Sequence, residues 1–149
     1  MFSGSERDSL SYYIRGIFHG LYYMSDEKIK AYGLTNQQGH LLGIINNRIE
    51  SGNEISRRFL EEVMHLRGPS VTSLLHGLEE KGYIQRTVSN CDRRCFSITV
   101  TPKGKALVKE IHNVFLETEL KLQEGMTPEE REILKDLLIR LYLNIPHLS

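Results

Sequence analysis

The 149-residue sequence has few cysteines, no net charge and no long apolar run. Each scarcity removes a class of protein. Two cysteines, Cys91 and Cys95, are too few for a disulfide scaffold, and a cytosolic chain keeps them reduced. No apolar stretch approaches the ~20 residues of a membrane span. The opening residues, Met1 to Asp8, are polar and lack a signal-peptide core, so a cytoplasmic location is expected, with no membrane partner. Neither a phosphate-binding glycine loop nor a nucleophile-plus-histidine motif is present, so no enzyme is expected. His40, His65 and His76 with the two cysteines lack the close, paired spacing of a zinc site, so neither metal nor cofactor is expected.

What is there is enough for one folded domain. Apolar residues make up 40% of the chain, enough to bury a core, and no repeat or long linker divides it. The 19 basic and 19 acidic residues cancel, but they are not evenly spread. Between Asn53 and Lys109 ten bases face six acids, a surplus of four positive charges. A basic centre between acidic ends is an electrostatic footprint for a phosphate backbone.

The periodicity predicts six helices and a hairpin. Leu10, Tyr13, Ile14, Ile17, Leu21 and Met24 recur at helical spacing over Ser9 to Lys30, and Gly33 ends the run. Thr35 with Gln38 is a capping box for a second helix to about Arg48. Ile55, Phe59, Leu60 and Val63 mark a short third helix, about Ser56 to His65. Gly68-Pro69 opens a fourth, in which Val71, Leu74, Leu75 and Leu78 face inward and Gly82 closes the run. Two β-like runs follow, Tyr83 to Val88 and Phe96 to Thr101, separated by a polar, basic tip. Thr101-Pro102 starts a long helix to about Glu124. Thr127-Pro128-Glu129-Glu130 caps a last one, carrying Leu134, Leu137, Leu138, Leu141 and Ile145.

A tight helix pair followed by a basic hairpin is the winged helix-turn-helix arrangement. The first and last two helices are more apolar than one small winged unit can cover, so they are expected to pair between subunits. The fold class is therefore mainly α (α+β), a single domain over 1–149. Its winged-helix region spans about 35–101, with terminal dimerisation helices at about 8–32 and 102–149.

Several motifs occur in one order. They are Leu34-Thr35-Asn36-Gln37-Gln38, Leu78-Glu79-Glu80-Lys81-Gly82, Asp92-Arg93-Arg94 and Thr99-Val100-Thr101-Pro102-Lys103-Gly104. From about Leu10 onward the chain resembles the MarR family of transcriptional regulators. Asn36-Gln37-Gln38-Gly39-His40 and Arg67-Gly68-Pro69 further resemble the MepR-like multidrug-responsive branch. The resemblance implies a triangular homodimer that binds palindromic double-stranded DNA. It also implies a repressor of efflux or stress-response genes, released by a small aromatic or lipophilic effector.

Candidate DNA contacts follow. Inward-facing Val71, Leu74, Leu75 and Leu78 turn Pro69, Thr72, Ser73, His76 and Gly77 outward, and the N-terminal part of a recognition helix meets base edges. Thr72, Ser73 and His76 can exchange hydrogen bonds with bases or phosphates, while Arg67 and Ser70 stand where free helix N–H groups favour phosphate. Arg94 matches the family's wing arginine, suited to a minor groove, and Asp92 its acid. Arg93 and Arg86 are candidate phosphate contacts. Tyr13, Phe18, His19, Tyr22 and His40 are candidate walls for a flat effector.

Two alternatives use the same residues. A winged helix specialised for protein interaction would fit the zero net charge and the Cys95-Phe96 pair, which stands where many members carry bases. A redox-responsive regulator would use Cys91 and Cys95, since basic neighbours favour the thiolate.

Overall fold

The computed structural model describes residues 6–87 and 95–146. After a short 3-10 turn, Glu6–Asp8, the order is α1 (Leu10–Lys30), α2 (Asn36–Glu50), β1 (Ile55–Ser56), α3 (Arg57–Met64), α4 (Gly68–Glu80), β2 (Ile84–Thr87), β3 (Cys95–Val100), α5 (Pro102–Leu122) and α6 (Pro128–Leu143). The six expected helices and the hairpin are all present.

The chain writes its helix starts with side chains. Ser9, Thr35, Ser56, Thr101 and Thr127 each accept a hydrogen bond from a backbone N–H in the first turn of the helix they precede. That bond satisfies one of the donors a helix start leaves free. At Thr35 and Thr127 the capping box is complete, with Gln38 and Glu130 reaching back to the cap residue's own N–H. Gly33 and Gly125 sit at positive φ (75° and 86°), where a side chain would be strained, and so separate α1 from α2 and α5 from α6.

β1 was not anticipated. Its two residues were expected to open the third helix, but Ile55 pairs with Phe96 and Ser56 with Cys95, antiparallel. β2 pairs with the other edge of β3, from Ile84 opposite Val100 to Thr87 opposite Ser97. The sheet order is β1-β3-β2. Distant pairing, not local propensity, makes β1 a strand.

One core joins the winged unit to the base of the terminal helices. Ile29, Leu41, Leu42, Ile45, Leu60, Val71, Leu75 and Leu78 are fully buried, and Ile84, Ile98, Leu107 and Ile111 continue the cluster. Val63, expected on the inner face of α3, is instead 39% exposed. Away from this base the terminal helices are bare. No residue of α6 is buried, and Leu10, Tyr13, Ile14 and Ile17 of α1 stand at 45–61% exposure. Among the described residues no helix is long and apolar enough to cross a membrane.

Candidate nucleic-acid interface

α3 and α4 form the helix-turn-helix. α3 ends at His65, which takes the left-handed conformation at φ 55°, and the Leu66 N–H closes back on Glu61 at 3.1 Å. Two residues later α4 begins. Gly68 is buried there because a Cβ would lie 2.8 Å from Glu61 Oε1, so α3 and α4 meet closely at the turn.

α4 buries Val71, Leu75 and Leu78 and exposes Pro69, Ser70, Thr72, Ser73 and His76. Its 13 residues span ~20 Å at 1.5 Å each, a length suited to a DNA groove. Arg67, the N-cap, is exposed and makes no capping bond, so its side chain is not spent on the first turn. His76 Nε2 lies 3.2 Å from Glu80 Oε1. One expectation fails on this helix. Gly77 does not turn outward: a Cβ there would meet Gln38 Nε2 at 2.5 Å, so it packs against α2.

Arg86, on β2, is not a free cation. Its Nε donates to Glu79 Oε2 at 2.8 Å and its Nη2 to Oε1 at 3.4 Å. Hydrogen bonding to the guanidinium holds the Glu79 carboxyl below its ordinary range and raises Arg86 in return. Other bases of the central block are also engaged within the subunit. Arg58 pairs with Glu62 at 3.0 Å, Lys81 binds the Gly33 carbonyl and Gln38, and Lys103 binds the Lys81 carbonyl. The charge surplus read from the sequence is thus only partly available to a ligand. Asp92, Arg93, Arg94 and Cys91 lie outside the described residues.

Of the candidate effector residues, Tyr13, Phe18 and His19 are exposed on α1. Phe18 and Tyr22 meet at 5.2 Å between ring centres, while Tyr13 turns to Tyr12 at 5.3 Å. His40 stacks on Phe115 of α5 at 4.0 Å and 21°. Loss of hydration lowers the His40 pKa below its ordinary value, against a smaller upward pull from Glu119. Phe115 was missed because it reads as one more apolar residue on a long helix. A cleft of about 280 Å³ lies elsewhere, between α2 and α3, lined by Ile44, Asn47, Arg48, Ser51, Asn53, Phe59 and Val63. None of the five candidates lines it. Among the described residues no group of three His, Cys, Asp or Glu side chains is placed to hold a metal ion.

A helix-turn-helix whose second helix presents a polar face beside a β-hairpin defines a winged-helix protein. The MarR family profile matches residues 32–94. The HTH-type transcriptional regulator BilQ of Clostridioides difficile (strain CD3) is 30% identical over 138 residues, covering 91% of this chain and 90% of its own. The chain belongs to the MarR family of transcriptional regulators. Among solved structures, the Staphylococcus aureus MepR–DNA complex overlays with a TM-score of 0.84 at 30% identity, covering 95% of this chain and all of that one. A further MepR structure, that of a transcription regulator of the multidrug efflux pump MepA, overlays at 0.64 with 29% identity, covering 93% and 99%.

Proposed function

We propose that this protein is a homodimeric, ligand-responsive repressor that binds palindromic operator DNA. The observation that carries the reading is the exposed face of α4. Ser70, Thr72, Ser73 and His76 stand clear of the core, in a chain that as a whole overlays more closely on MepR in its DNA complex than on the second MepR structure. Short polar side chains on a helix of this length can reach base edges and phosphates in a major groove. Arg67 extends the positive end of the helix, and Arg93 and Arg94 supply the wing contact, with Asp92 orienting Arg94. Arg86 reaches a phosphate only by sharing or leaving Glu79.

The bare helices support the homodimer. Monomeric proteins rarely leave large contiguous apolar patches in water. Here α1, the end of α5 and all of α6 do so, with Leu120 at 48%, Leu138 at 52% and Leu143 at 72% exposure. A second copy, related by a two-fold axis, covers the same surface on both subunits. Two recognition helices then read two half-sites about one helical turn (~10 bp) apart. Tyr13, Phe18, His19 and Tyr22 lie on α1, one of the helices that this pairing brings together, and His40 stacks on Phe115 of α5, another of them, so a pocket for an aromatic or lipophilic effector is completed by the partner. Such an effector releases DNA if it prefers the conformer that does not bind. The efflux role of MepR extends to this chain as a repressor of efflux or stress-response genes.

Footprinting on the DNA upstream of the protein's own gene tests this. A near-palindrome protected by wild type and bound at least tenfold more weakly by Arg94→Ala, with an unchanged melting temperature, is expected. Protection of a single asymmetric half-site, or equal affinity of the variant, would refute dimeric docking or the wing assignment respectively.

A further inference from the structure

The bonds that fix α4 within the subunit gather at its C-terminal end, away from the face just described. Lys81 follows the helix and sends its ammonium to the Gly33 carbonyl at 2.5 Å and to Gln38 Oε1 at 3.0 Å. The same Gln38 oxygen accepts the Thr35 N–H at 3.1 Å, so the start of α2 and the end of α4 share one acceptor. Gly77, one turn earlier, packs against that side chain with no room for a methyl group. From the other side Lys103 of α5 donates to the Lys81 carbonyl at 2.9 Å, and its ammonium lies 4.7 Å from the centre of the Tyr83 ring.

Tyr83 completes the arrangement. Its ring is buried and its hydroxyl donates to the Tyr32 carbonyl, just past α1, at 3.1 Å. The Tyr83 carbonyl accepts the Thr101 N–H at 3.0 Å and the Thr101 hydroxyl at 3.1 Å. The exit of α4 is therefore pinned at once to the end of α1, the start of α2 and the start of α5.

We infer that Tyr83 and Lys81 are positioning residues, which set the angle of the recognition helix against the α1–α5 frame and so the half-site separation the dimer accepts. This rests on the DNA-binding reading above. Neither residue lies on the outward face of α4. One added base pair moves a half-site ~3.4 Å along the DNA axis and turns it by about a tenth of a turn. A helix pinned on three sides cannot follow that displacement, whereas a helix that has lost one attachment can swing toward it.

Tyr83→Phe keeps the ring and removes only the hydroxyl bond. Lys81→Met keeps the stem and removes the ammonium. Each is compared with wild type on three operators: the footprinted site, the same site one base pair longer between half-sites, and one base pair shorter. Wild type is expected to prefer its own spacing at least tenfold. In either variant that preference should fall at least threefold, with helix content retained by circular dichroism. An equal loss of affinity on all three operators would mark the residue as merely structural or as a phosphate contact, and would overturn the inference. So would an unchanged preference. Wild type that binds none of the three would sink the DNA-binding reading itself and this inference with it, a result visible before any variant is tested.

Discussion

Replacing Gly104 by alanine probes the junction between wing and dimerisation helix. A Cβ at this position would stand 2.3 Å from the Tyr83 carbonyl oxygen and 2.8 Å from Val100 Cγ1. Carbon–oxygen contacts are ordinarily ~3.3–3.6 Å, so the backbone must part by about 1 Å. That displacement falls on an oxygen that accepts two hydrogen bonds from Thr101. Overpacking costs ~1–3 kcal/mol and each weakened hydrogen bond up to ~1 kcal/mol. Alanine's better helix propensity offsets about 1 kcal/mol. With both Thr101 bonds lost in full, the net loss is roughly 2–4 kcal/mol, a fall of roughly 5–15 °C in melting temperature for a chain of this size. Differential scanning calorimetry at one fixed protomer concentration measures it, because association also contributes to stability. Gly43, with nothing within 4 Å of its Cβ position, is the contrast: alanine there should gain about 0.5–1 kcal/mol. A loss below ~0.5 kcal/mol at Gly104 would show that the junction yields freely and refute the packing argument.

Other consequences are as direct. Changing Leu137 and Leu138 together to glutamate should convert dimer to monomer in sedimentation equilibrium while helix content persists, since neither is buried within the subunit; a persisting dimer would place the interface elsewhere. Glu79→Gln releases Arg86, so the slope of log affinity against log salt should steepen by about one unit; an unaltered slope would show that Arg86 meets no phosphate. His40 holds its proton less tightly when folded, so the unfolded chain protonates first as pH falls below 6.5. Stability should decline from there down to the folded value and then level off. His40→Phe, which keeps a ring against Phe115, should show a shallower decline in melting temperature between about pH 8 and 5. An identical profile would remove His40 from the account.

Much of the fold could be read from local chemistry because the chain marks its helices with caps. Thr35–Gln38 and Thr127–Glu130 are short-range signals, complete within four residues. What escaped the sequence depends on partners far along the chain. Ile55 and Ser56 are a strand only because Phe96 and Cys95 lie beside them. Gly77 has no side chain to betray which way it faces, and its neighbour Gln38 is 39 positions away. The positive charge of Arg86 was visible, but its pairing with Glu79 was not, since the two meet only when β2 folds back along α4. For the site, the polar face of α4 was legible from the spacing of its apolar residues. The effector residues were not, because an aromatic side chain reads alike in a pocket wall, a core and an interface.

The most direct test is binding of the intact protein to the DNA upstream of its own gene, followed by fluorescence anisotropy at about 50 and 200 mM salt. Displacing counterions from ~6–10 phosphates weakens binding by at least a hundredfold over that range. The account predicts that loss, together with much tighter binding to the upstream sequence than to a scrambled duplex of equal length. Affinity that ignores salt, or that does not distinguish the two duplexes, would contradict it.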